Sequence, residues 1–413
     1  MVAMKKLLSV KSSARVFFPL IFFAAVLVSC NRTDAVQSIS ETELFTIPYG
    51  NFEEQLSISD LNSIGDVKFG VEMRDGFFYV VDGAAKKVME LNSYGDLLTL
   101  FYNEDALIAD YLDSSARSDR SIHHEISYPF DYPGKISVDS NKSVYAVCSI
   151  PRDRQEKSDD MLYSHTVLRF ARDGVFVEYL GQQGPGGTPF PYIKNIYTTA
   201  RDELVVVSVS TDGVIVYWFA TDGFLKYMIP VSKKDIPLAG ALDGGHDVFL
   251  SIAGVIPDPS SYRLYVQADY FSAYVDEDSK IQSGVNYIQT MLYPLNVESG
   301  IYEEPVSIPP YEESEVSDYT RITHRIPYEF LGVTKSGWKF FILKTDDGFN
   351  IEMIQSDSQR ILRRHFDADH KNIFYNTMTL SQDGIITALY LEKDRARVVW
   401  YRTDSLIDAI LKN

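Results

Sequence analysis

Three lysines recur at one place in a repeated pattern. Lys68, Lys135 and Lys194 each stand early in the first apolar run of a unit that contains four such runs. If the units are set around an axis, these ammonium groups converge on it and favour an anionic ligand or an acidic loop of a partner. The plainer alternative is that their stems lie along apolar surface while their heads sit beside carboxylates such as Asp66 and Glu72.

Little else has the spacing of a reaction centre. The chain contains seven histidines, none in the His-Glu-x-x-His arrangement that sets two imidazoles around zinc on one helix face. His123-His124-Glu125 is contiguous and falls in an insertion, so it reads as a solvated loop. There is no Gly-x-Ser-x-Gly elbow to present a nucleophile. The stretches Asp276-Glu277-Asp278 and Glu312-Glu313-Ser314-Glu315 lack the ligand order and turn glycine of a calcium loop and read as charged loops. No metal, cofactor or catalytic residue is assigned.

The elements that must position the lysines are short strands. Of the 413 residues 45% are hydrophobic, Tyr (27) and Phe (24) are abundant, and helical periodicity is nearly absent, which points to an all-β chain. Residues 67–101 contain the runs Val67–Met73, Phe77–Asp82, Lys87–Leu91 and Leu97–Phe101, divided by Arg74-Asp75-Gly76, Gly83-Ala84-Ala85-Lys86 and Asn92-Ser93-Tyr94-Gly95-Asp96. This is the pattern of a four-stranded antiparallel meander. Similar units follow from Lys135, Tyr192, near Ile236, Tyr328 and Phe374, with insertions at about 103–131, 151–164 and 257–325.

The last unit has only three runs. Sheets arranged radially leave short protected edges, and a ring commonly closes with a strand from the other terminus. The expectation is a β-propeller of six four-stranded blades, with Thr42–Tyr49 completing the last blade beside Arg397–Tyr401. Seven blades are the alternative, with the longest insertion as the extra one. Leu406, Ile407, Ile410 and Leu411 fall on one face of a short C-terminal helix.

The N-terminal 29 residues read as an address rather than as fold. Basic residues precede the uncharged run Val16–Ser29, too short to cross ~30 Å of hydrocarbon comfortably but suited to a signal peptide. Without residues 1–29 the chain has 35 basic against 57 acidic residues, or −22. Such a body is repelled by nucleic acid and by anionic lipid, so neither is an expected partner for it. Of two cysteines, Cys30 follows the apolar run and Cys148 lies in a strand-like run as a small hydrophobe.

Leu27-Val28-Ser29-Cys30 resembles the lipobox of bacterial lipoproteins. The resemblance implies cleavage before Cys30, acylation of its thiol, a tether over 30–41 and attachment through lipid in the cell envelope, with outer-membrane placement on a periplasmic or surface face. Phe78-Tyr79-Val80-Val81-Asp82, Tyr132-Pro133-Gly134-Lys135-Ile136-Ser137-Val138-Asp139 and the Gly-rich 181–190 crossing resemble NHL-type propeller repeats of spirochaete-type lipoproteins. This implies a propeller over 42–413 but no particular activity. The functional expectation is a non-enzymatic binding or scaffold module whose partners are envelope proteins or an anionic ligand. The rival is a metal-dependent propeller enzyme, lactonase- or lyase-like, with axial Asp or Glu ligands.

Overall fold

Phe78, Tyr79, Val80 and Val81 are each at most 1% exposed, a continuous apolar run instead of the alternation of a half-solvated sheet. Successive strand residues point to opposite faces. Accordingly Phe78 and Val80 enter one hydrophobic cluster while Tyr79 and Val81 enter another. Val205 and Val207 likewise face one cluster, and Leu204 and Val206 a second. Each sheet is thus covered by a neighbour on both faces, which is the packing of propeller blades.

The computed structural model describes residues 37–58, 69–106, 123–158, 161–237, 248–275, 282–317, 320–355 and 360–411. The chain divides into units 1–37 and 38–413, and the second is a six-bladed β-propeller. Blade 1 comprises Phe69–Arg74, Phe77–Asp82, Lys87–Leu91 and Leu97–Tyr102, and blade 2 comprises Ile136–Val138, Val144–Ser149, His165–Phe170 and Phe176–Gly181. Blade 3 is Ile193–Thr198, Leu204–Ser210, Gly213–Phe219 and Leu225–Ser232, and blade 4 is Val248–Pro257, Arg263–Val275, Gln282–Asn296 and Val306–Ile308. Blade 5 is Glu329–Val333, Trp338–Thr345, Gly348–Gln355 and Arg360–Asp367. Blade 6 takes Ile373–Leu380, Ile386–Glu392 and Arg395–Tyr401 from the C-terminal end and Thr42–Pro48 from the N-terminal end.

Six hydrophobic clusters occupy the six gaps between successive blades, so the core is a ring of interfaces around an axis. Closure is by the strand the three-run unit demanded. Phe45 lies opposite Val398 and Ile47 opposite Ala396, and both side chains enter the cluster between blades 6 and 1. Phe45 meets Phe78 edge to face at 5.4 Å, a favoured aromatic geometry. Gly95, at φ +87°, turns directly over Phe45, whose Cβ lies 2.8 Å from where a Gly95 side chain would begin. Only glycine satisfies both the backbone and that contact.

The longest insertion is not a seventh blade. Its runs become the second to fourth strands of blade 4, followed by the hairpin Tyr311–Ser317 with Thr320–Ile326. The inner strand of blade 4 is Val248–Pro257, later than the segment near Ile236, and the expected turn at Asp243-Gly244-Gly245 lies outside the described residues. The first insertion adds His124–Ser127 as a parallel strand along Leu97–Tyr102, and the second contains the hairpin Glu156–Ser158 with Met161–Tyr163. The C-terminal helix is Thr403–Leu411, with Ile407 packed between blades 5 and 6 and Thr403 Oγ1 donating to Gly384 O.

Phe45→Ala removes a large ring from the closing interface and is expected to cost about 3 to 5 kcal/mol of stability. Urea unfolding of both proteins measures this, with a lower midpoint expected for the variant.

Candidate axial anion site

The first strands of all six blades surround an axial cavity of about 250 Å³. Blade 1 shows how a strand serves both core and cavity. Phe69, Val71 and Met73 point into the cluster between blades 6 and 1, so Gly70, Glu72 and Arg74, on the other face, line the cavity. Gly70 leaves room for the neighbouring backbone, with Gly134 O 3.3 Å from where a Cβ would stand.

Glu72 is enclosed by the inner strands yet still accessible from the cavity. Burial pushes its pKa up to about 8, and the Arg74 guanidinium only partly opposes the shift. At neutral pH the carboxyl is therefore largely protonated. Tyr197 lies within its electrostatic reach: burial raises the phenol, and the Glu72 anion raises it further. Its hydroxyl accepts from Asn195 Nδ2 at 2.9 Å.

Three cations line the same cavity, Arg74, Lys135 and, at its mouth, Lys335. Lys135 makes no ion pair among the described residues, and burial alone lowers its pKa. Arg74 approaches Asp75 at only 3.9 Å, and its buried Nε has no hydrogen-bond partner among the described residues. Asp75 is engaged elsewhere. Lys142 Nζ donates to its Oδ2 at 2.8 Å and to Arg74 O at 3.1 Å, and that hydrogen bond leads the causes holding the Asp75 carboxyl below its usual range.

Turn-to-turn contacts fix this mouth of the cavity. Ser140 Oγ and Asn141 Nδ2 donate to Asp202 at 2.7 and 3.1 Å, and Arg201 donates to Ser260 O at 2.9 Å. Lys335 N donates to Gln382 O at 2.8 Å, while Lys335 Nζ lies 3.8 Å from Asp383. Gln382 Nε2 then reaches from blade 6 to Thr198 O on blade 3 at 2.8 Å, a polar bar between opposite blades. Arg74 and Lys135 thus present their positive charges to one cavity.

Of the three predicted lysines, the structure brings Lys135 to the cavity and Lys68 lies outside the described residues. The expectation for Lys194 is corrected. The pairing of Ile193–Thr198 shifts register between Ile193 and Asn195, so Lys194 occupies a bulge, which re-aims its side chain. Its Nζ donates to Ala253 O at 2.8 Å, and it is absent from the cavity lining. Arg74 was missed because Arg74-Asp75-Gly76 has the look of a turn. The alternation of Phe69-Gly70-Val71-Glu72-Met73-Arg74 was the available signal.

Two further expectations are corrected. His123 is not solvated: its side chain is 7% exposed, with Nε2 3.3 Å from Glu53 Oε2 and 3.6 Å from Glu125 Oε1. Among the described residues this is the cluster of side chains with metal-ligand character, and it lies away from the axial cavity. Glu312 belongs to a hairpin strand, not a loop, and pairs with Arg325 at 3.1 Å. Asp276-Glu277-Asp278 lies outside the described residues. Cys148 is buried between blades 1 and 2, where desolvation raises its thiol pKa, in keeping with a packing role.

The fold and cavity define a class, the six-bladed propeller with a polar axial pocket. No protein family matches the chain, and no curated protein does. Similar solved structures include a PL25 polysaccharide lyase, an ulvan lyase, at TM-score 0.40 and 9% identity, covering 87% of this chain and 95% of that one. The polysaccharide lyase Uly1 is similar at TM-score 0.41 and 10% identity, with 88% and 97% covered. The Dos1 propeller is similar at 0.36 and 10%, with 78% and 75% covered. At these values the likenesses carry no argument about this chain's activity.

Glu72 gives a signed pH prediction. The stability it contributes when protonated is fully present below the unfolded value near 4.5 and is lost as pH rises through the folded value of about 8. Relative to Glu72→Gln, the native chain is expected to lose stability progressively from about pH 4.5 to 8 and then level off. Urea midpoints of both proteins at pH 5, 7 and 9 measure the difference.

Proposed function

We propose that the chain is a lipid-anchored propeller of a bacterial envelope that binds a small anionic ligand, or the acidic side chain of a partner protein, in its axial cavity. The observation that carries this reading is the presence in one cavity of Lys135, in no ion pair among the described residues, and Arg74, which stands 3.9 Å from a carboxylate that Lys142 holds more closely. In an enclosed site such cations attract an anion more strongly than they would in water. The protonated Glu72 adds no opposing charge at neutral pH and can donate a hydrogen bond. The carboxylates at the mouth are spent on lysines, Asp75 on Lys142 and Asp383 on Lys335.

The anchor rests on Leu27-Val28-Ser29-Cys30 and the apolar run before it, and the assignment of the repeats to the NHL type rests on the motifs of the first three units. We place the mature chain on the outer membrane, acylated at Cys30. More than one acyl chain is needed for stable attachment.

Calorimetric titration with citrate and with inorganic phosphate tests the cavity. Arg74→Gln and Lys135→Met are each expected to weaken the bound anion about tenfold or more, equivalent to ~1.4 kcal/mol, and binding is expected to weaken above pH 8 as Glu72 ionises. Unchanged affinity in both variants contradicts the proposal. Separately, Cys30→Ser is expected to abolish metabolic labelling with palmitate and leave the chain uncleaved.

A further inference from the structure

We propose that Glu53, His123 and Glu125 form a zinc site at the edge of blade 1, away from the axial cavity. Two segments distant in sequence meet there. His123 and Glu125 flank and enter the parallel strand His124–Ser127, in which Glu125 lies beside Leu100. Being two residues apart in extended chain, they share a face. Glu53 comes from the turn that follows the ring-closing strand.

That turn is built rigidly. Gly50 N donates to Leu56 O at 3.0 Å, and Leu56 N donates to Pro48 O at 2.9 Å. Lys87, 2% exposed, donates from Nζ to the carbonyls of Phe52, Glu53 and Gln55 at 2.7, 3.2 and 2.5 Å. An ammonium has three donors, and Lys87 directs all three to the backbone of this turn. The turn is thereby pinned while the carboxylate, buried with its residue at 3% exposure, is aimed at His123.

The separations fit a metal better than a direct bond. Nε2 of His123 stands 3.3 Å from Glu53 Oε2 and 3.6 Å from Glu125 Oε1, beyond the usual ~2.7–3.2 Å of an N–H···O bond. Zinc binds imidazole nitrogen and carboxylate oxygen at about 2.0–2.2 Å in a tetrahedron, whose edges are then about 3.3–3.6 Å. The three ligand atoms all lie within 4.8 Å of one another. An imidazole in the set favours zinc over the oxygen-only preferences of calcium and magnesium. The fourth position would fall to water, on the side on which Glu125 is 36% exposed. The ion would fasten the first insertion to the segment next to the ring-closing strand and stabilise the fold by binding it selectively.

Zinc chloride titration of the full chain, purified metal-free in mild detergent, tests the site by calorimetry, elemental analysis and thermal melting. One zinc per chain with micromolar or tighter affinity is expected, together with a higher melting temperature. His123→Ala and the more exposed Glu125→Gln should each weaken zinc at least tenfold, and His123→Ala should lose the thermal shift. If His123→Ala fails to fold, Glu125→Gln alone carries the comparison. Substoichiometric zinc in the native chain, or equal zinc affinity in the folded variants, overturns the site.

Discussion

The antiparallel pairing of Thr42–Pro48 with Arg395–Tyr401 is the contact on which the rest depends. Without it blade 6 has three strands, and the cluster between blades 6 and 1 loses Phe45 and Ile47. That cluster also receives Phe69, Val71 and Met73 from the inner strand of blade 1. Because strand residues alternate, burying these three is what turns Glu72 and Arg74 toward the axis. Ring closure and the chemistry of the cavity are thus two faces of one strand.

The cavity is an electrostatic exception within an acidic molecule. The chain carries a formal charge of −18, yet cations line its axis. Carboxylates at the mouth are drawn to lysines on neighbouring turns, as Asp75 is to Lys142. Exposed pairs of this kind contribute little stability individually. Their effect here is positional, because they hold the Asp75 carboxylate at the far edge of reach from Arg74.

The architecture was legible because it is local. Strand runs, Asp-Gly turns and the three-run last unit are short-range patterns, and together they implied a closed ring of six. What escaped reading depends on register or on distant partners. The bulge at Lys194 cannot be seen in its own strand, since it arises from pairing with Leu204–Ser210. His123 looked like loop chemistry because its partner Glu53 lies 70 residues earlier, joined only when the insertion folds back on blade 1. Arg74 was hidden by its turn-like neighbours. The inner strand of blade 4 was placed too early because its pairing partner, Arg263–Val275, lies inside an apparent insertion.

The central claim is that the axis is cationic at neutral pH because Glu72 keeps its proton between Arg74 and the buried inner strands. Selective 13C labelling of the glutamate side chains, with Glu72→Gln used to assign the resonance, measures that carboxyl directly in an NMR pH titration. The account predicts a midpoint near 8. A midpoint near 4.5, the ordinary value for a glutamate, would contradict it.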